Sequence, residues 1–93
     1  MKQVVFDFER IGSIEDFYTI ARPELGLPDD FGNNLDALWD SVTGYIELPV
    51  EIRFINMSMS QLETFDTLIE LFEEAAEALT DNLSFEYYLK PVI

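Results

Sequence analysis

The sequence predicts an α/β fold of two layers: a three-stranded parallel sheet in the order 1-2-3, with helices packed on one face. Three observations carry this. Three short segments alternate apolar and polar residues, and stretches of helical periodicity separate them, giving β-α-α-β-α-β. Strands joined through helices pair in parallel. Each strand alternates instead of being apolar throughout, so one sheet face is covered and the other is wet. Right-handed crossovers that keep every helix on one face must step in the same direction, which sets the order.

The elements follow in turn. Residues 3–9 (QVVFDFE) place Val4, Phe6 and Phe8 on one side and Val5, Asp7 and Glu9 on the other, a half-buried strand. Ser13 opens a helix, with Asp16 three residues on as a capping-box-like pair and Ile14, Phe17, Tyr18 and Ala21 at helical spacing. Pro23 is expected to end or kink it, because proline removes a backbone donor and disfavours helix at Arg22. Residues 25–28 (LGLP) lead into the acidic loop Asp29-Asp30-Phe31-Gly32. A short helix over about residues 34–43 follows, with Asn33 as N-cap, Asp36 at the third helical position and Gly44 as a left-handed residue just past the end. Its Leu35, Leu38, Trp39 and Val42 recur at i, i+3, i+4 and i+7, one apolar stripe.

Pro49 restarts an extended segment over residues 50–56, with Val50, Ile52 and Phe54 inward and Glu51 and Arg53 outward. In the order 1-2-3, Arg53 lies between Asp7 and Glu86 on the open face, and a charge pairing is expected there. Ser60 with Glu63 reads as a capping box for the longest helix, about residues 61–79. Leu62, Phe65, Leu68, Ile69, Phe72, Ala75, Ala76 and Leu79 give it a broad apolar face. Glu63, Asp66, Glu70, Glu73, Glu74 and Glu77 crowd the other face with no lysine or arginine between them, so tertiary burial must hold this helix. Asp81-Asn82 turns into the last strand, residues 83–90, with Leu83, Phe85, Tyr87 and Leu89 on one side. Residues 91–93 read as a short tail.

Ninety-three residues make one domain, residues 1–93, with room for a single modest core. The chain is 48% hydrophobic, as globular chains are, despite a formal net charge of −14. Nineteen acids against five bases disfavour nucleic acid and anionic membranes as partners. They suit a basic partner, which would be steered in quickly; solubility alone is the other reading of the same charge. With no cysteine there is no disulfide, zinc-thiolate site or thiol nucleophile, and with no histidine the commonest general base and metal ligand is missing. No cofactor is implied. Asp29, Asp30, Asp36 and Asp40 offer hard oxygen ligands, but not at the spacing of a specific calcium loop. Neither a Gly-rich phosphate loop nor a cleft for paired catalytic carboxylates is evident, so the chain does not read as an enzyme. No signal segment or long apolar run is present, and the expectation is a cytoplasmic protein.

The stretch PDDFGNNLDALWDSVTGYIE carries the candidate site. Asp36, Asp40 and Thr43 recur at i, i+4 and i+7, forming a polar stripe beside the apolar one. Carboxylates one turn apart lie ~6 Å apart along the axis, comparable to successive phosphates on a strand. Next to an aromatic edge, this pair makes a candidate binding surface; the alternative is a merely solvated helix face.

The wording N-L-D-A-L-W-D, followed by T-G, an aromatic, a hydrophobic residue, E and then P, resembles the barstar family of small intracellular inhibitors of secreted ribonucleases of the barnase type. The resemblance runs along most of the chain: the opening strand, the S-I-x-D helix start, L-x-L-P-x-x-F-G before the motif and F-x-E-A on the last helix. It implies a 1:1 complex with a basic ribonuclease. Asp36 and Asp40 match two acidic binding positions, Asp40 the one that plugs the catalytic centre. Trp39 and Gly44 match flanking contacts, Thr43 a polar position at the helix end, and Glu74 the acidic contact on the last helix. Each has a plainer alternative: capping for Asp36, core packing for Trp39, a C-cap for Gly44 and solvation for Glu74. Two contact positions differ from the family pattern. Asp30 replaces a loop tyrosine and Tyr45 replaces the tryptophan after T-G, which implies a partner with a different rim. The runner-up reading is an acidic module of the same fold that binds another basic protein, in a regulatory or nucleic-acid-mimicking role.

Overall fold

The computed structural model describes residues 1–91, and the rest of the expected tail, residues 92–93, lies outside them. The chain runs β1 (Lys2–Asp7), α1 (Ile14–Leu25), α2 (Leu35–Gly44), β2 (Val50–Met57), α3 (Met59–Thr64), α4 (Asp66–Ala78) and β3 (Leu83–Leu89). The strands form one parallel sheet in the order β1-β2-β3, as alternation and crossover handedness predict. Register sets Ile52 between Val4 and Phe85, and Phe54 between Phe6 and Tyr87. Val4, Phe6, Phe8, Val50, Ile52 and Phe54 all point into the core, which also takes Phe17, Leu25, Leu38, Val42, Phe65, Leu68 and Phe72 from the helices. Phe54 on the central strand is the hub. Its ring meets Phe8 at 4.7 Å, Phe85 at 4.9 Å, Phe72 at 5.5 Å, Phe6 at 5.6 Å and Phe17 at 5.8 Å, mostly edge to face, the arrangement that ring quadrupoles favour.

Local chemistry departs from expectation at several points. α1 does not end at Pro23 but continues to Leu25. The proline lies in the last turn, where it removes a single donor. Gly26, left-handed at φ 64°, then closes the helix, and its N–H and that of Leu27 both donate to Arg22 O. At the other end Ser13 caps as expected, its Oγ accepting from Asp16 N, while Asp16 reaches past it to Gly12 N. The N-cap of α2 is Asn34, not Asn33: Asn34 Oδ1 accepts from Ala37 N at 2.8 Å. The expected long helix is two, α3 and α4, parted at Phe65, whose ring turns into the core against Phe8 at 5.3 Å. Its capping box is Ser58 with Gln61, not Ser60 with Glu63. Gln61 Nε2 also donates to Phe8 O and Ile11 O, both at 2.8 Å, so the box doubles as a tie to the end of β1.

Arg53 faces the open side as expected, but its ion pair is with Glu51, two residues back on its own strand. Glu86, its register partner, accepts instead from Tyr88 Oη. Asp7 accepts from Asn56 Nδ2 at 3.1 Å and Glu9 N at 3.0 Å, and these two bonds hold its carboxyl below the usual carboxylate range. β3 is an edge strand whose inward face is covered only at its start: Leu83 is buried and Phe85 half-buried, but Tyr87 and Leu89 are 42% and 49% exposed.

The outer face of α4 carries Asp66, Glu70, Glu73, Glu74 and Glu77, all exposed. Raising NaCl from about 0.01 M to about 0.15 M shortens the Debye length from ~30 Å to ~8 Å and screens their mutual repulsion. The melting temperature is expected to rise by several degrees. A flat or falling value by calorimetry would show that this crowding does not strain the fold.

Candidate functional site

The site is built on α2 and the loop before it. The core side of α2 is anchored by fully buried Leu38 and Val42, with Ser41 buried at its last turn, so the rotation of the helix is fixed. That fixes the opposite side. Asp36 and Asp40 project from it, both exposed and one turn apart. With Asn34 as cap, Asp36 falls at the second helical position and its carboxylate bonds no backbone N–H, which leaves only the helix dipole as a local role. Among the described residues neither Asp36 nor Asp40 enters an ion pair or a side-chain hydrogen bond. The two ion pairs there, Arg53 with Glu51 and Lys90 with Glu9, are on other elements.

Trp39 is half-buried and packs on the core, so it serves the apolar stripe while leaving an edge at the surface. Thr43 is half-buried too, and its Oγ1 donates to Trp39 O at 2.7 Å, tightening the last turn. Gly44 differs from expectation. It is the last residue of α2, not a left-handed residue beyond it, and Gly26 is the one glycine with positive φ among the described residues. A Cβ on Gly44 would meet nothing within 4 Å. Neither backbone conformation nor internal packing therefore requires glycine here. Tyr45 takes the C-cap position, its N–H donating to Ser41 O at 2.9 Å, and the residue is 61% exposed.

Glu74 is exposed on α4, which packs beside α2. The starts of α1, α2 and α4 line one groove, with Ile14, Leu35, Thr67 and Leu68 among its walls. α2 is followed by β2 and α4 by β3, and the starts of those strands meet where Val50 N donates to Asn82 O. Eight residues of helix rise ~12 Å, which takes Glu74 from the groove about as far along α4 as Thr43 lies along α2. Asp30 stands exposed in the loop before α2. That loop is fixed by a residue the sequence reading passed over: Arg22 Nη2 donates to Asn33 Oδ1 at 2.8 Å and to Phe31 O at 3.3 Å.

No three carboxylates converge on a point that could hold a metal, and no helix is long and apolar enough to cross a membrane, among the described residues. The surface is exposed and acidic, with Trp39 and Tyr45 beside the carboxylates, a composition suited to contact with another macromolecule.

Residues 1–90 match the family model described as barstar (barnase inhibitor). A Bacillus subtilis (strain 168) protein named "Putative ribonuclease inhibitor YrdF" is 35% identical over 87 residues, spanning 88% of this chain and 93% of its own length.

Proposed function

The chain belongs to the barstar family, and from that premise we propose that it inhibits a secreted microbial ribonuclease of the barnase type. It acts as a single domain, in the cytoplasm, as a 1:1 complex, and catalyses nothing itself. The acidic face of α2 and the loop before it seat in the basic active site of the enzyme. One observation carries the reading: Asp36 and Asp40 stand exposed, one turn apart, with no cation of this chain paired to them among the described residues.

An RNA-cleaving site holds phosphates and stabilises charge in the transition state with cationic groups. Carboxylates spaced like phosphates on a rigid helix can pair with those same cations. Asp40, midway along α2, takes the centre of that site, and Asp36 takes a cation one turn nearer the loop. The edge of Trp39 and the ring of Tyr45 supply apolar area around the charges, Thr43 holds the last turn in shape, and Asp30 and Glu74 meet basic groups at the rim. At Gly44 the enzyme approaches the bare backbone, which accounts for a glycine that the fold itself does not need. The net charge of −14 speeds encounter with a basic enzyme.

Titrating a purified barnase-type ribonuclease with this protein tests the reading, and Gly44→Ala sharpens it. Alanine in place of glycine within a helix stabilises by up to ~1 kcal/mol, so the melting temperature should hold or rise slightly. Inhibition should weaken at least about tenfold, because the methyl group holds the surfaces apart. Unchanged inhibition by the variant would remove Gly44 from the interface, and no inhibition by the wild-type protein would refute the reading.

A further inference from the structure

We infer that Arg22 is a positioning residue for this interface: its guanidinium locks the acidic loop and the start of α2 into the shape that binds. The inference rests on the reading of α2 and its loop as the binding face. The chain has five cationic side chains, and Arg22 enters neither of the ion pairs seen among the described residues. In a protein this acidic, that is notable. Its guanidinium meets neutral acceptors, all on one loop: Nε and Nη2 share Asn33 Oδ1 at 3.2 and 2.8 Å, and Nη2 reaches Phe31 O at 3.3 Å. It also lies 6.0 Å from the centre of the Phe31 ring, which is buried against Tyr18.

Beside the burial of Phe31, Arg22 supplies the side-chain hydrogen bonds that tie this loop to α1. Asn33 is left-handed at φ 50°, a conformation asparagine tolerates but does not prefer. The hydrogen bonds internal to the loop are local, Phe31 N to Pro28 O and Asn34 Nδ2 to Gly32 O. The next residue, Asn34, is the N-cap of α2. The backbone of Arg22 meanwhile accepts the closing bonds of α1. One residue thus ends α1 with its carbonyl and, with its side chain, fixes the segment carrying Asp29 and Asp30 and the entry to the helix carrying Asp36 and Asp40. A loop already ordered before binding loses less freedom in the complex. The planar fork matters: two N–H groups converge on one amide oxygen and a third contact reaches a carbonyl, which an ammonium on a flexible stem does not reproduce.

Charge and position predict opposite signs. Arg22→Gln makes the chain more acidic, so electrostatics alone would speed and tighten binding to a basic enzyme. Positioning predicts a weaker complex. With a purified barnase-type ribonuclease, Arg22→Gln and Arg22→Lys should each dissociate about tenfold faster than wild type, with association no slower. In the free protein, hydrogen exchange at the amides of Phe31 and Ala37 should accelerate about tenfold, while amides of β2 keep their protection. Wild-type dissociation rates in both variants would overturn this inference alone, as would full rescue by lysine or unchanged exchange at Phe31 and Ala37. A wild-type protein that fails to bind the ribonuclease would overturn the functional reading, and the role of Arg22 at an interface with it.

Discussion

Asp40→Ala is expected to weaken inhibition of a barnase-type ribonuclease by about 30-fold to several thousand-fold while leaving the fold intact. In the free protein Asp40 is exposed and, among the described residues, unbonded, so truncating it removes no internal contact. Its melting temperature should stay within a few degrees of wild type. In the proposed complex the same carboxylate would be desolvated between cations. Removing one partner of such a pair costs about 2–5 kcal/mol, a range drawn in part from barstar itself, because the opposing charges are left buried and unpaired. Most of the loss should appear as faster dissociation. Asp40→Asn separates charge from shape, and should lose most of what alanine loses. Asp36→Ala, nearer the end of the stripe, should lose about tenfold. Glu63→Ala, an exposed carboxylate on α3, should change little beyond a slightly slower, salt-sensitive association. Inhibition by Asp40→Ala within twofold of wild type would move the centre of the site off this residue.

The strands, their order and the acidic face of α2 were legible because each rests on a repeating pattern. Period-2 alternation gives the covered sheet face, and residues three or four apart place Asp36 and Asp40 opposite Leu38 and Val42. The errors fall where two local signals of equal quality sit side by side and a distant contact chooses between them. Asn33 and Asn34 are equally good N-caps. Arg22 takes the amide of Asn33, and Asn34 is left to cap. Ser58-Gln61 and Ser60-Glu63 are both capping boxes in sequence, and only the first is reinforced from outside, because Gln61 also reaches Phe8 O and Ile11 O. Arg53 was expected to find an acid across the sheet, but Glu51, on the same face of the same strand, is nearer at hand. The alternation of β3 runs on through Tyr87 and Leu89 after the helical cover has ended, since period alone does not show how far an edge strand is overlaid. Arg22 escaped notice for a related reason. Its acceptors are a backbone carbonyl and a side-chain amide, and neither leaves a charge pattern in the sequence.

The largest loss of stability is expected at Phe54, whose ring is 0% exposed on the central strand and lies within 6 Å of five other phenyl rings. Phe→Ala in a core costs about 3–5 kcal/mol, and this position should fall at the upper end. β2 is flanked by strands on both sides and covered by Phe17 and Phe72 from α1 and α4, so no single element can move in to close the cavity. Domains of this length are stable by about 5–14 kcal/mol, so Phe54→Ala removes a large share. The melting temperature should drop by about 15–30 °C. Phe54→Leu, which keeps most of the volume, should cost about 1–2 kcal/mol, and Phe85→Ala, half-buried on the edge strand, less than Phe54→Ala. Urea unfolding of the three variants checks the ranking, and a Phe54→Ala loss below about 1 kcal/mol would show that the core is not centred there. The binding face offers a second check. Phe54 lies on the central strand and is not one of the proposed contact residues, so at low temperature, where the variant is still folded, its inhibition should fall only by the fraction unfolded. Asp40→Ala and Phe54→Ala then act on different quantities, affinity and stability, and their effects in the double variant should add.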